Sequence, residues 1–387
     1  MKQSIEHNRL TLFLSSFKDG GSERVMVALA NGFVLRGYRV DLVLACGAQG
    51  LYLADVDARV RIVDLQAERL IKALWPLVRY LRRERPAALL AAMNHANVVA
   101  VLAQKWAGVS TRVVVSEHGM ISIEAGRTRR WSARAMYALL PRLHRRANAI
   151  AAVSRGSARD LEQFAGLPAG AVHVIYNPVE WDRIQRRMAE PVPHPWLQPG
   201  QIRPVILAIG RLTEQKDFAT LLRAFAAVRA STDARLLILG EGGLREELQA
   251  LAQSLGLGPD DVQMPGFAAN PFAYMARAAV FVLSSRWEGL PGVLIQAMAC
   301  GTPVVSTDCL SGPREILEDG RWGRLVPVGD VEALAQAIRA VLSSPREQLP
   351  DVRQRARDFA LDPAIDAYLA AMGLPPQAAS ADAQVLP

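Results

Sequence analysis

Val205-Ile-Leu-Ala-Ile-Gly-Arg-Leu-Thr-Glu-Gln-Lys-Asp-Phe-Ala-Thr-Leu-Leu-Arg-Ala-Phe-Ala-Ala-Val-Arg229 decides the fold. Residues 205–209 are an unbroken apolar run and read as a buried strand. Residues 210–216 carry a glycine and polar groups and read as a loop. Residues 217–229 place apolar side chains at helical spacing. Strand, glycine loop and helix in succession is the unit of a parallel sheet.

The unit repeats in both directions. Downstream, residues 235–239, 280–283 and 304–306 read as strands with helices between them. The last helices fall near residues 331–342, 347–360 and 363–371. Upstream, residues 10–14 read as a strand, followed by a Gly20-Gly21 loop, an amphipathic helix over 23–35, Gly37, and a strand over 39–44. Residues 112–115 and 149–153 are further strands, the second followed by Ser154 as a helix cap. Between the two series, Pro178, Pro191, Pro193, Pro195, Pro199 and Pro204 crowd residues 177–204, which reads as an interdomain linker.

The expectation is an α/β chain of two doubly wound parallel-sheet (Rossmann-like) domains facing a cleft. Residues 1–190 form the first domain and 200–355 the second. Helices over 356–373 are expected to pack back on the first, and 374–387 to be a flexible tail. In such sheets ligands bind beyond the carboxyl ends of the strands, at switch points of strand order. With two domains, the cleft between them is the natural site.

Composition removes several classes. The chain has 387 residues, 51% hydrophobic and 21% charged, which excludes a disordered chain. Cys46, Cys300 and Cys309 form no CxxC pair, so neither a disulfide framework nor a zinc knuckle is indicated. The six histidines show no paired spacing suited to zinc. The apolar run before Ser15 is too short for a signal peptide. Residues 87–109 are interrupted by Asn94, His95, Asn97, Gln104 and Lys105, so no membrane-spanning helix is expected. A soluble protein of a reducing compartment follows.

The net charge of +8 is uneven. Residues 1–190 hold 28 basic and 16 acidic side chains, the remainder 17 and 21. One basic segment runs over 69–85. The other runs over 127–146 and carries Arg129, Arg130, Arg134, Arg142, Arg145 and Arg146. Both interleave arginine with leucines and with Trp75 or Trp131. That mixture suits an interfacial helix on anionic lipid. The plainer reading is an arginine-rich solvated face, since only 5 of 45 basic residues are lysine. No nucleic-acid-binding module accompanies the charge.

The stretch most able to carry chemistry is Ser284-Ser-Arg-Trp-Glu-Gly-Leu-Pro-Gly-Val-Leu-Ile-Gln-Ala-Met-Ala-Cys-Gly-Thr-Pro-Val-Val305. A strand end leads to Glu288, then to the turn Leu290-Pro291-Gly292-Val293, where a helix opens; Cys300-Gly301 closes it. A helix start presents free N–H groups and the positive end of its dipole, a seat for phosphate. Glu288 would repel phosphate but can accept hydrogen bonds from sugar hydroxyls. Gln296 lies within the helix.

This stretch resembles the signature of retaining family-4 glycosyltransferases with the two-domain GT-B fold, two glutamates separated by seven residues. Glu288 matches the first; Gln296 stands where the family has the second, which holds the ribose. Glutamine still donates and accepts there. Ser306-Thr-Asp-Cys-Leu-Ser-Gly-Pro-Arg-Glu315 is similar to the following loop in bacterial members acting on surface polysaccharides and lipid-linked oligosaccharides. Gly210 to Lys216 resembles the diphosphate clamp, so the resemblance implies Arg211 and Lys216 as phosphate binders. Two cations can stabilise charge developing on a leaving diphosphate. Gly20-Gly21 resembles the amino-terminal glycine loop, where bare backbone approaches donor phosphate or acceptor. Glu117-His118-Gly119 matches the place of the histidine that contacts the donor sugar. Gly240-Glu241-Gly242 and Gly266-Phe267 match loops near the nucleoside. The resemblance covers residues 10–370.

Each motif has a duller reading. Glycine pairs make turns, a histidine can be a satisfied core residue, Arg211 and Lys216 can be surface charges, and Glu288 can cap a helix. Their joint order and spacing favours the site. A dinucleotide dehydrogenase lacks its GxGxxG and no Walker loop is present. Asp55-Val-Asp57 is a DxD string in an expected hairpin, with nothing else to support a metal.

The resemblance implies a retaining, metal-independent hexosyltransferase with a UDP-sugar donor and no cofactor. It implies a lipid-linked glycan acceptor such as an undecaprenyl-diphosphate sugar, and action at the cytoplasmic face of the inner membrane. Two alternatives stay open: a GT-B-fold sugar-nucleotide epimerase, and a non-catalytic subunit, made conceivable by Gln296.

Overall fold

The computed structural model describes residues 6–17, 20–47 and 50–375. The chain divides into two compact units, each described by itself. The first comprises the residues up to Pro178 and those from Leu361 onward; the second is Val179–Ala360.

The first unit carries seven strands: β1 (Glu6–Leu14), β2 (Arg39–Leu44), β3 (Arg61–Asp64), β4 (Pro86–Ala92), β5 (Arg112–Glu117), β6 (Ala149–Ala152) and β7 (His173–Val174). They pair in parallel in the order β3-β2-β1-β4-β5-β6-β7. Alternation along β1 sends Leu10, Leu12 and Leu14 into one core and Phe13 into the other, so the sheet is buried on both faces. The order reverses between β1 and β4, which makes their carboxyl ends the switch point.

The second unit repeats the plan with β8 (Val205–Ile209), β9 (Arg235–Leu239), β10 (Val262–Gly266), β11 (Val280–Leu283), β12 (Val304–Thr307) and β13 (Arg324–Val326). Their parallel order is β10-β9-β8-β11-β12-β13. The switch point here is β8/β11, so the loop after Ile209 and the loop after Leu283 lie side by side. These are the two segments singled out in the sequence.

Several boundaries differ from expectation. The units part at residue 178 rather than 190, because the helix Trp181–Met188 packs on the helices Pro271–Arg277 and Gly292–Ala299. The proline-rich stretch is not a free linker: His194, Trp196 and Leu197 are buried, and the His194 and Trp196 rings meet edge to face at 5.3 Å. The return to the first unit falls at Leu361 rather than 356, since Val179 N–H donates to Phe359 O at 2.8 Å within the second. The helix expected over 347–360 is broken at Pro350 into Arg346–Gln348, Arg353–Ala356 and Arg357–Phe359.

The helix Leu361–Ala371 lies against Gly21–Leu35. A Cβ on Gly32 would stand 2.1 Å from Ile365 Cδ1, so glycine permits the close approach. Arg36 pairs with Asp362 and Asp366, each at 2.8 Å. Of the tail, Pro375 O accepts a bond from the Tyr38 hydroxyl at 2.9 Å; residues 376–387 lie outside the described residues.

The expected hairpin at Asp55-Val-Asp57 is instead the end of a short 3-10 helix, Leu51–Asp55. Asp57 is held by Arg59 at 2.8 Å. Among the described residues no group of carboxylates, histidines and cysteines converges as a metal site. Among them, no helix is long and apolar enough to cross a membrane.

The two basic segments become Leu74–Glu84, preceded by a 3-10 turn, and Trp131–His144. Ile71 and Trp75 are exposed on the first, and the Trp75 ring stacks at 5.3 Å on the exposed Trp106 of the neighbouring helix Asn94–Ala107. Trp131 is 82% exposed. Large apolar rings among arginines therefore stand in solvent rather than in the core.

Candidate functional site

At the β8/β11 switch point Lys216 and Glu288 meet. Nζ of Lys216 donates to Oε1 of Glu288 at 2.5 Å, and both side chains are largely buried. Glu288 also accepts from the Ser285 hydroxyl at 2.6 Å, on the same oxygen. Gln215 Nε2 reaches Trp287 O at 2.9 Å, and Ser284 Oγ reaches Lys216 O at 2.7 Å. The two loops are thus laced through backbone and side chains. Thr307, at the end of β12, donates to Ser285 O at 2.6 Å, and Ser311 to Gly289 O at 2.9 Å.

Two helices start here and their ends differ. Phe218–Arg229 is capped by Asp217, whose carboxylate accepts from Thr220 N–H and pairs with Arg286 at 3.0 Å. Its positive end is already answered. Gly292–Ala299 begins after Pro291, which supplies no side-chain cap, so its first N–H groups are uncapped by that residue. Only the second can offer its end to an anion. Arg211 is exposed nearby in sequence on the loop after β8.

Glycines at the carboxyl edge are steric requirements. Gly240 N–H donates to Gly266 O at 2.8 Å and Gly210 N–H to Leu239 O at 3.0 Å. Gly240 has φ +135°, and a Cβ there would lie 2.0 Å from Gly210 O. A Cβ on Gly210 would press on the Lys216 side chain at 3.1 Å. Beyond them Phe267 is 55% exposed. Gln296 is half-buried in the helix and Leu290 and Pro291 are buried before it, with Gly292 and Val293 half-buried. Burial pushes the Cys309 thiol up to about 12, with Glu288's charge adding to it, so it stays protonated.

The first unit places the other residues at the carboxyl edge of its own sheet. Glu23 folds over the glycine loop: Ser22 donates to its Oε2 at 2.8 Å, and a Cβ on Gly20 would lie 2.3 Å from that oxygen. The carboxylate in the first turn answers the positive end of the helix Gly21–Leu35. The space a side chain would take at Gly20 is occupied by the Glu23 carboxylate.

His118 follows β5. Its Nε2 meets Ser116 Oγ at 3.2 Å, while its buried Nδ1 has no partner in the protein. Burial pushes its pKa down to about 4, so the ring is neutral at pH 7. Ser116 is held in turn by the Tyr368 hydroxyl at 2.9 Å. Glu117 points inward, where Oε1 accepts from Asn97 at 2.8 Å and meets His144 Nε2 at 3.0 Å.

The structure brings Gly210, Lys216, Glu288 and Gly292 to one switch point, and Gly20 and Gly21 to the other, with His118 at the carboxyl end of the next strand, β5. Sequence reasoning missed the residues that hold Glu288 and its loop: Ser285, Gln215 and Thr307. All three stood inside the quoted stretches, but their role depends on β8, β11 and β12 lying adjacent.

A family model described as glycosyl transferases group 1 matches residues 203–344, and one described as glycosyltransferase family 4 matches residues 19–183. An N-acetylgalactosamine-N,N'-diacetylbacillosaminyl-diphospho-undecaprenol 4-alpha-N-acetylgalactosaminyltransferase of Campylobacter jejuni is 29% identical, over 86% of this chain and 90% of its own length. A lipopolysaccharide core biosynthesis glycosyltransferase of Rhizobium meliloti, LpsE, is 29% identical over 84% of this chain and 86% of its own. Among solved structures, HepE of Anabaena in complex with UDP-glucose aligns with TM-score 0.79 at 21% identity, covering 95% of this chain and 100% of that one. That likeness extends to the fold: two parallel-sheet α/β domains of the GT-B type. With a glycosyltransferase family 4 model on the first domain, a glycosyl transferases group 1 model on the second and two relatives aligned along most of their length, the chain belongs to the glycosyltransferases.

Proposed function

We propose that this protein transfers a hexose or N-acetylhexosamine from a UDP-sugar, with retention, to a lipid-linked or polysaccharide acceptor in bacterial surface-glycan synthesis. The observation that carries the reading is the Lys216–Glu288 pair beside the uncapped helix at Gly292. Lys216, Arg211 and that helix end would hold the diphosphate; Glu288 the donor-sugar hydroxyls; Gln296 the ribose. Gly210 makes room for the Lys216 side chain and Gly266 for the Glu241 carboxylate, and the exposed ring of Phe267 suits a flat base. The unpartnered Nδ1 of His118 is the proposed contact to the donor sugar.

In the proposed step the acceptor oxygen attacks the anomeric carbon on the face from which UDP departs. The bond from carbon to phosphate oxygen breaks as the new carbon–oxygen bond forms. The hydroxyl proton passes to the departing phosphate oxygen. Two cations and a helix end balance the growing charge, so the step calls for no metal.

The relative from Campylobacter is named for an undecaprenyl-linked substrate. Such an acceptor would place this protein peripherally at the cytoplasmic face of the inner membrane, with the arginine- and tryptophan-bearing helices against anionic lipid.

A donor screen by nucleotide release, with lipid-linked acceptors, tests the reading. Release with one UDP-sugar, lost in Glu288→Ala and Lys216→Ala, supports it; release by neither protein nor variant with any donor refutes it. Gln296, which departs from the family pattern, favours a second reading as a non-catalytic subunit. Gln296→Glu tightening UDP binding, with no wild-type turnover of any donor, would support that instead.

A further inference from the structure

Beside His118 lies a carboxylate that the family resemblance does not assign. Glu124 sits on the short helix Ile121–Arg127 after β5. Its Oε2 accepts from Asn94 Nδ2 at 2.6 Å and from the Tyr137 hydroxyl at 3.3 Å. Those two bonds come from the helices after β4 and β5, and they fix the carboxylate's direction. Its Oε1 lies over Gly119, 2.2 Å from where a Cβ would stand. This gives glycine at 119 a physical reason. Glu124 is exposed as a residue, its carboxyl group is raised in pKa by burial, and no hydrogen bond within the described residues reaches Oε1.

The neighbouring polar groups point to a ligand. Glu117 is spent on Asn97 and His144 in the interior. His118 Nδ1 and Asn94 Oδ1 are buried with no partner in the protein, and Asn94 is more than nine-tenths buried. A carboxylate oxygen beyond the carboxyl end of β5, the strand next to β4, beside a neutral imidazole, recognises a hydroxyl and repels a phosphate. The basic helices of the same unit carry the opposite preference. An acceptor with a neutral glycan end and an anionic lipid end matches that separation.

We propose that Glu124 binds a hydroxyl of the acceptor sugar through Oε1 and thereby selects the acceptor. Asn94 and Tyr137 are positioning residues that hold its other oxygen. The proposal rests on the transferase reading above and deepens it.

The test uses the full chain, the UDP-sugar found active in the donor screen, and undecaprenyl-diphosphate-linked N-acetylhexosamine as acceptor. Glu124→Gln is expected to raise acceptor KM about tenfold, the loss of one charge-assisted hydrogen bond. UDP affinity and acceptor-free hydrolysis of the donor should stay at the wild-type level. Gly119→Ala, whose methyl group would displace Oε1, should raise acceptor KM in the same way. Should Glu124→Gln fail to fold, Tyr137→Phe, which removes one hydroxyl, carries the same expectation at smaller size. Unchanged acceptor KM in the folded variants overturns the proposal, as does a loss of UDP affinity equal to the change in KM. Wild-type protein that neither binds UDP nor releases it with this acceptor overturns the transferase reading, and the proposal with it.

Discussion

Lys216 and Glu288, 72 positions apart in the chain, form one ion pair at 2.5 Å because β8 and β11 are neighbours in the sheet. The pair has a structural and a chemical side. Each charge is largely removed from water and needs the other. In the proposed reading, Lys216 faces the donor's phosphate and Glu288 its hydroxyls.

Glu288→Ala therefore has two expected effects. It leaves the Lys216 ammonium without its carboxylate, which costs about 2 kcal/mol, or a fall of roughly 4–8 °C in Tm for a domain of this size. It also lowers kcat about 100-fold or more, the scale seen when an aimed electrostatic group is removed. Calorimetry and nucleotide release measure the two separately. A large Tm change with unaltered kcat would leave Glu288 a structural residue.

Gly240→Ala tests the edge of the same site by backbone alone. The added methyl would meet Gly210 O at 2.0 Å, and φ is +135°, where side chains are rarely found. The expected result is a displaced loop after β8, weaker UDP binding and a stability loss of about 2 kcal/mol or more. Unchanged UDP affinity would show that this edge is not used.

The loops that make the site were readable, and the reason is local. Gly210 to Lys216 and Glu288 to Gly292 each follow an apolar run and carry glycine or proline, the residues that punctuate a chain. The strand β4 was not readable. It runs through Ala92 into the helix Asn94–Ala107 with only Met93 between, at φ +78°. No glycine or proline marks that reversal, so the segment reads as one interrupted apolar stretch. The holders of Glu288 were hidden for another reason. Ser285 and Thr307 meet only because β11 and β12 pair, a fact of strand order that no window of sequence contains. Pro178 to Pro204 misled in the opposite direction: prolines mark turns, but His194 and Trp196 bury their rings and fix the stretch to the second unit.

Asp41 gives a pH prediction away from the site. It is 2% exposed, bonded to Arg9, Arg61 and Tyr80. Burial alone would raise its pKa, but Arg61, Tyr80 and Arg9 outweigh it and the net direction is down. A carboxyl with a lowered folded pKa contributes stability above its unfolded value of about 3.9 and loses it as pH falls below. Denaturant unfolding should therefore show a stability loss on going from pH 5 towards pH 3. Asp41→Asn should flatten that slope and cost on the order of 3 kcal/mol at pH 7. An unaltered slope in the variant would assign the acid sensitivity to other groups.

Vesicle binding tests the exposed helices. Trp75 and Trp131 stand among arginines in solvent. Affinity for vesicles containing anionic lipid is expected to exceed that for neutral ones and to fall as salt rises, since screening acts over about 10 Å at 0.1 M. Trp131→Ala should weaken it further. Binding that ignores both salt and lipid charge would contradict the membrane role.

The most direct measurement is calorimetric titration of UDP into the full-length protein and into Lys216→Ala. The account predicts one site per chain in the wild type and an affinity at least tenfold weaker in the variant, the loss of one charge-assisted contact to phosphate. Equal affinities, or no heat of binding in the wild type, would contradict it.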